Sequence, residues 1–302
     1  MAYHIMLSSV KLCYNKFNAD HAVFCLEGRS WRKDFYEPYK KNRVVARMAK
    51  STREQEEDQI MFQSYDDMIT FLGEKTNVTL LQNPEAEADD MIAIFIEAHP
   101  NDNHIIVSSD SDYLQLISDN VTMYDGVQNR IITKDGFFKD DKNMTPIKEK
   151  KTDVVKEAPD PEWLLFEKCI RGDTSDNIFS AYPGCRKKGT RNKVGMLEAY
   201  ADKENGGFNW NNFMLQVWTD HNGEEHTVRD DYERNVKLVD LTAQPMDLKV
   251  KFIETIAENS IPKTNAGVGM NFLKFCGTHD LQNLAKSPDE LASILNNPYP
   301  AE

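Results

Sequence analysis

The sequence lacks any apolar run near the roughly 18 residues that a bilayer crossing needs. It has no CxxC pair. Cys13, Cys25, Cys169, Cys185 and Cys276 are scattered, so no disulfide framework is legible and a reducing cytoplasm fits. The seven histidines fall in no HExxH or other ligand spacing. No internal repeat and no low-complexity tract is present. The opening stretch MAYHIMLSSVKLCYNKF is apolar and periodic but has no small-residue cleavage site, so it reads as a helix and not a signal peptide. A surplus of positive charge is also missing: 36 Lys and Arg face 49 Asp and Glu, for a net charge of −13. That average argues weakly against a polyanionic partner.

The distribution of charge argues the other way. Residues 28–53 carry nine bases (Arg29, Arg32, Lys33, Lys40, Lys41, Arg43, Arg47, Lys50, Arg53) and two acids. Residues 186–193, RKKGTRNK, hold Arg186, Lys187, Lys188, Arg191 and Lys193 and no acid. An acidic chain with two concentrated basic segments suits a polyanion at those segments alone. The chain has 302 residues, 40% hydrophobic and 28% charged, enough for a sizeable core in one large or two modest domains.

Apolar runs and helical periodicities alternate over the first 136 residues. Helices are expected over 4–17, 52–72 and 86–99, and strands over 22–28, 77–82 and 104–109, with a helix after the last. Short strands at 121–126 and 130–136 read as a closing meander. This predicts an α/β layer with a mostly parallel sheet. Residues 140–158 are charged and poor in apolar side chains, and read as a linker. Beyond it a mainly helical part is expected, with helices near 193–201, 209–219, 229–241 and 268–296. The expected domains are therefore 1–139, with a basic excursion at about 30–58, and 159–302. Leu281, Leu284, Leu291 and Leu295 recur at helical spacing near the C-terminus. Core packing is the plainer reading, and a docking site for a sliding clamp or single-strand-binding protein is the alternative.

In parallel sheets ligands gather at the C-terminal ends of strands. Three acidic features fall there: Glu27; the run Glu87-Ala88-Asp89-Asp90; and Asp110-Ser111-Asp112, which follows the apolar run of residues 105–107. Unpaired carboxylates that converge raise one another's pKa values and destabilise the fold, and divalent cations remove that cost. Mg²⁺ prefers carboxylate oxygen. Two such ions can activate water and stabilise a leaving oxygen in phosphodiester hydrolysis. The absence of thiolate and imidazole ligands disfavours softer metals. Alone, a D-x-D after a strand is more often a helix cap. A further acidic element, IRGDTSDNIFSAYPG, offers Asp173 and Asp176 on a tight turn, with the basic run next to it.

EADD, SSDSDYLQL and GDTSDNI followed by PG and a basic turn resemble the structure-specific 5′-nuclease superfamily of flap endonucleases and 5′→3′ exonucleases. WRKDFYEPYKKNR (31–43) resembles the family signature where the chain forms an arch over the active site. Within the superfamily the resemblance is to the ribonuclease H of T-even-type phages, and it covers most of residues 5–245. It implies a PIN-like α/β nuclease domain and a helical C-terminal domain with a helix–three-turn–helix-like duplex-binding element at 172–200. It implies that Glu87, Asp89, Asp110, Asp112 and Asp176 ligate metal, with Asp173 a supporting acid. Lys40 and Arg43 would polarise the scissile phosphate. Arg32 and Lys41 would contact phosphate, and Tyr39 would orient substrate. Two Mg²⁺ ions are implied, replaceable by Mn²⁺, and a K⁺ site near 172–184. The implied activity is Mg²⁺-dependent removal of RNA primers, 5′ ends and flaps by a monomer, in the host cytoplasm if the chain is phage-encoded.

Two departures from the family pattern stand out. Glu27 occupies the position where an Asp is usual. The family's first metal-binding strand, which precedes the helix at 4–17, has no counterpart in the sequence. An impaired or non-catalytic nucleic-acid-binding member is therefore the main rival reading. A PIN-type ribonuclease is the lesser one, because it would lack YKKNR and GDTSDNI.

Overall fold

The apolar runs marked as strands all find partners in the computed structural model, which describes residues 2–300. In chain order the elements begin with α1 (Ala2–Phe17), β1 (Val23–Cys25), α2 (Arg32–Phe35), α3 (Lys41–Met48) and α4 (Thr52–Lys75). Then come β2 (Thr79–Leu81), α5 (Ala88–Ala98), β3 (His104–Val107) and a 3₁₀ helix, Ser111–Leu116. Next are β4 (Val121–Asp125), β5 (Arg130–Thr133), β6 (Gly136–Lys139), α6 (Pro161–Arg171), α7 (Met196–Ala201) and α8 (Phe208–Met214). The chain ends through β7 (Val217–Thr219), β8 (Glu225–Thr227), α9 (Val228–Val239), α10 (Met246–Asn259), α11 (Val268–Thr278), α12 (Gln282–Ala285) and α13 (Pro288–Asn296).

These elements form two compact units interleaved in sequence. The first comprises residues 1–30, 47–100 and 246–302; the second comprises 31–46 and 101–245. In the first unit β1 and β2 pair in parallel, Phe24 opposite Leu80. Its core gathers Leu7, Met68, Leu72, Val78, Phe272, Leu291 and Leu295. Leu281 and Leu284 belong to the same cluster, so the C-terminal leucines are core residues. Helix α4 starts at Ser51 through a capping box: the Ser51 amide donates to Glu54 Oε2 at 2.8 Å, and the Glu54 amide donates to Ser51 Oγ. Apolar burial over so many large side chains, at about 25 cal/mol per Å², is the main stabilising term.

In the second unit β3 pairs in parallel with β4, and β4–β5–β6 form an antiparallel meander with one strand, β6, more than the two expected. Phe166, Ile170, Met196, Phe213 and Val228 form one core cluster, and Tyr39, Cys169, Ile178, Leu238 and Val239 a second. Three local expectations differ. The helix after β3 is a six-residue 3₁₀ turn, because Asp110 caps it and Ile117 is already extended. The helix expected over 209–219 stops at Met214, and Val217–Thr219, with β-branched residues at both ends, pairs with Glu225–Thr227 as a hairpin. Helix α10 lies where no element was expected. Residues 140–158 carry isolated bridges, Phe138 to Pro146 and Lys148 to Val155, and lie within the second unit. Among the described residues no helix is long and apolar enough to cross a membrane.

Candidate metal centre

In the second unit, carboxylate oxygens of Asp112, Asp173 and Asp176 all lie within 4.8 Å of one another. Three chain features bring them there. Asp112 enters from the 3₁₀ turn, whose cap is the Asp110 carboxylate accepting the Asp112 amide at 2.9 Å. Asp173 and Asp176 sit on the loop after α6, which closes on itself: the Asp173 amide donates to Ile178 O and the Ile178 amide to Asp173 O. Gly172 makes the turn with φ of +75°. Asp173 Oδ1 accepts from the Ser175 amide and hydroxyl, both at 2.7 Å.

Three cations meet the three acids. Lys168, in the last turn of α6, bridges Asp112 and Asp173, the second contact at 2.7 Å. Arg43 reaches Asp176 Oδ1 at 2.5 Å, and Lys40 Nζ lies 3.8 Å from Asp176 Oδ2. Tyr39 donates its hydroxyl to the same Oδ2 at 3.3 Å. The segment carrying these bases is tied to the loop by its backbone. The Lys40 amide donates to Asp176 O at 2.8 Å, Asn177 Nδ2 to Pro38 O at 2.7 Å, and Asn42 Nδ2 to Thr174 O at 3.1 Å. Lys40 itself adopts φ of +54° to make this approach.

The two acids on Lys168 titrate differently. Burial pushes the Asp112 carboxyl above its ordinary value, and Lys168 pulls against that without overcoming it. Burial also raises Asp173, but hydrogen bonds from Lys168 and Ser175 outweigh it and bring it down to about 2. Asp173 has Ser175 donors that Asp112 lacks.

In the first unit Glu87 precedes α5 and is 4% exposed, with Ser30 Oγ donating to Oε2 at 2.8 Å. Asp90, fully buried, accepts the Glu87 amide at 3.1 Å. Glu27 is exposed after β1 and accepts the Ala88 amide at 3.4 Å. Asp89 is half-buried; burial first, and the Asp89 charge second, push the Cys25 thiol up to about 12.

The basic residues divide by environment. Arg32 is 1% exposed; its Nε donates to Leu238 O at 2.9 Å and its guanidinium lies 4.8 Å from the Trp31 ring. That geometry makes it an anchor of the 31–46 segment. Lys41 is exposed and pairs with Glu37. Arg186, Lys187, Lys188, Arg191 and Lys193 are all exposed. Their loop is shaped by Glu198, whose Oε2 accepts the amides of Gly189 at 2.8 Å and Gly195 at 3.0 Å. A Cβ at Gly195 would lie 2.3 Å from the Gly189 nitrogen, so glycine is required for that closure.

Sequence reasoning missed Lys168, because a single lysine in an amphipathic helix carries no signal of its own. It also missed a second trio, Asp220, Glu224 and His226, on the β7–β8 hairpin. Asp220 there is engaged by its own turn, accepting the Asn222 and Glu224 amides at 2.8 Å. Among donor sets, three carboxylate oxygens fit a hard divalent cation.

The chain matches the family model described as 5'-3' exonuclease, N-terminal resolvase-like domain, over residues 1–143. It is 26% identical over 237 residues to a 5'-3' exonuclease of Aquifex aeolicus, covering 76% of this chain and 68% of that protein. It is 25% identical over 204 residues to flap endonuclease Xni of Pseudoalteromonas translucida, covering 66% and 63%. It is 32% identical over 124 residues to ribonuclease H of Enterobacteria phage T4, covering 38% and 39%. The D15 protein of phage T5, crystallised with metal ions, superposes with a TM-score of 0.58 at 21% identity, covering 83% of this chain and 90% of that one. The T5 D15 flap endonuclease in a complex with DNA and metal ions gives 0.55 at 17% identity, covering 95% and 89%. These likenesses extend across both interleaved units of the sequence, and the motifs EADD, SDSD and GDTSDN agree with them: the chain is similar to flap endonucleases and 5′→3′ exonucleases.

Proposed function

We propose that the chain is a Mg²⁺-dependent 5′-nuclease that hydrolyses phosphodiesters at 5′ ends and flaps of DNA and in RNA–DNA hybrids. The observation that carries this reading is the Asp112–Asp173–Asp176 cluster with Lys40 and Arg43 at its edge, in a chain similar to these nucleases. Asp112, Asp173 and Asp176 would hold the ion, and Mn²⁺ would substitute. Glu27, Glu87, Asp89 and Asp110 are proposed as further ligands by their motifs. Bound Mg²⁺ supplies an activated water and positive charge for the phosphate oxygens.

The residues of the chain do the rest. Asp173 stays ionised through its hydrogen bonds, so it offers an anionic oxygen at any ordinary pH. The Arg43 side chain is 55% exposed, and its planar fork suits phosphate oxygens. Lys40, only 12% exposed, is positioned by its own backbone and adds charge where the transition state becomes more anionic. The exposed bases of 186–193 would grip duplex backbone without reading sequence, as phosphate contacts do. The helix–three-turn–helix reading of 172–200 and the K⁺ site belong to this proposal, as does a monomer acting in primer removal beside a clamp or single-strand-binding protein.

The test is cleavage of 5′-labelled flap and RNA–DNA hybrid substrates with Mg²⁺, by the wild type and by Asp112→Asn and Asp176→Asn. Turnover should fall about 10²-fold or more in each variant, a loss comparable with removing one transition-state hydrogen bond. Tight substrate binding without cleavage by the wild type would overturn the reading in favour of a non-catalytic binding protein.

A further inference from the structure

We propose that Lys168 is a resident cation of the metal centre, an ammonium that a divalent ion must displace from Asp112 and Asp173 before the site is loaded. The inference rests on the metal-binding reading above and adds a residue that the family motifs do not mark. Its basis is geometric. One Nζ bridges two carboxylates of the trio, Asp112 and Asp173. Arg43 and Lys40 meet the third, Asp176. Three acids thus face three bases, with the Asp110 charge beside Asp112, so much of the negative charge an approaching dication would meet is already countered.

The three bases are not equivalent. Lys40 and Arg43 meet Asp176 from the 31–46 segment, whose backbone is tied to the same loop. Lys168 lies between the two acids whose oxygens an ion would share. Its side chain is 25% exposed, so a path to solvent exists, and a lysine stem has the rotatable bonds to take it. An ammonium is a compact point charge and a natural competitor for a small hard cation. Asp173 keeps its Ser175 donors when Lys168 leaves, so the loop retains its shape while the charge is exchanged. Lys168 therefore sets the concentration of divalent ion at which the enzyme switches on, and it protects the folded chain from carboxylate repulsion when ions are scarce.

The test measures Mn²⁺ binding by the disappearance of the free-ion electron paramagnetic resonance signal, without nucleic acid. It compares the full chain, Lys168→Met and Lys168→Arg. Lys168→Met should bind Mn²⁺ about tenfold tighter or more, since one opposing unit charge has gone. It should also melt at lower temperature without ions and gain more from added Mn²⁺ than the wild type does. Lys168→Arg should bind no tighter than the wild type. Unchanged or weaker Mn²⁺ binding by Lys168→Met, alongside normal flap cleavage by the wild type, would overturn the proposal and leave the nuclease reading standing. Tighter binding by Lys168→Met with no cleavage by any chain would support the exchange and overturn the nuclease reading. No Mn²⁺ binding by any chain would overturn both.

Discussion

Replacing Gly172 by alanine puts a methyl group where three backbone atoms already stand. An ideal Cβ at that position lies 2.4 Å from Ile178 O, 2.6 Å from Phe179 C and 2.7 Å from Ser180 N. None of these can rotate away, because all belong to the main chain that packs against the loop carrying Asp173 and Asp176. Gly172 also has φ of +75° and ψ of −174°, a region that residues with a Cβ rarely enter. The conformational strain costs about 1–3 kcal/mol, and forcing the loop aside adds about 1–3 kcal/mol more. At roughly 2–4 °C per kcal/mol for a unit of this size, the melting temperature should drop by about 10 °C. Gly184→Ala is the control. It shares a φ of +71° but meets nothing within 4 Å, so only strain of about 1 kcal/mol applies. Thermal melting by circular dichroism separates the two. Flap cleavage by Gly172→Ala below its melting temperature should also fall, because Asp173 and Asp176 ride on the displaced loop. Equal melting temperatures for the two variants would refute the steric argument.

Other outcomes follow from the same geometry. Arg32→Met should lower stability by about 1–3 kcal/mol because Leu238 O loses its donor, yet leave the salt dependence of DNA binding unchanged; a shallower salt slope would show that Arg32 meets phosphate instead. Lys187→Ala combined with Lys188→Ala should weaken binding evenly across sequences and reduce the slope of log K against log salt by about 1 for each phosphate no longer neutralised, read by fluorescence anisotropy. His21 governs a pH dependence. Burial depresses its pKa, opposed by the Asn297 carbonyl and Asp20 and reinforced by Lys263. Its neutral ring meets Thr79 Oγ1 at 2.8 Å and Asn297 O at 3.1 Å. The unfolded chain takes up the proton first, so this contribution is full above the ordinary value near 6.5 and is lost as pH falls toward the depressed folded one. His21→Asn should lose less melting temperature than the wild type between pH 7.5 and 5; an equal loss would assign the effect elsewhere.

Local patterns were legible in the sequence, and long-range pairings were not. The apolar runs and the helical periods located β1 to β5 and α4, with ends off by up to three residues, because side-chain period follows directly from backbone geometry. GDTSDN and YKKNR could be singled out because several chemical groups recur in short windows. Asp110 shows the limit. In D-x-D a helix cap and a metal ligand use the same residue type, and here the carboxylate caps the 3₁₀ turn. Lys168 shows another, since its two partners are 56 and five residues away and no spacing rule joins them. Arg32 shows a third. It stands in a basic run and looks like its exposed neighbours, and only the fold reveals that its side chain is buried against a distant carbonyl.

The interleaving of the two units bears on the order in which the chain can fold as it is made. Synthesis proceeds from the N-terminus at a pace slow enough for finished units to fold. The second unit is complete once Pro245 has left the ribosome, and the first still awaits everything from Met246 onward. That late segment brings Phe272, Leu291 and Leu295 to a core that Leu7 and Met68 entered long before. The unit that is begun first is thus finished last. During the interval α1 and α4 hold apolar faces without their final cover, a window in which a nascent-chain chaperone would have something to bind.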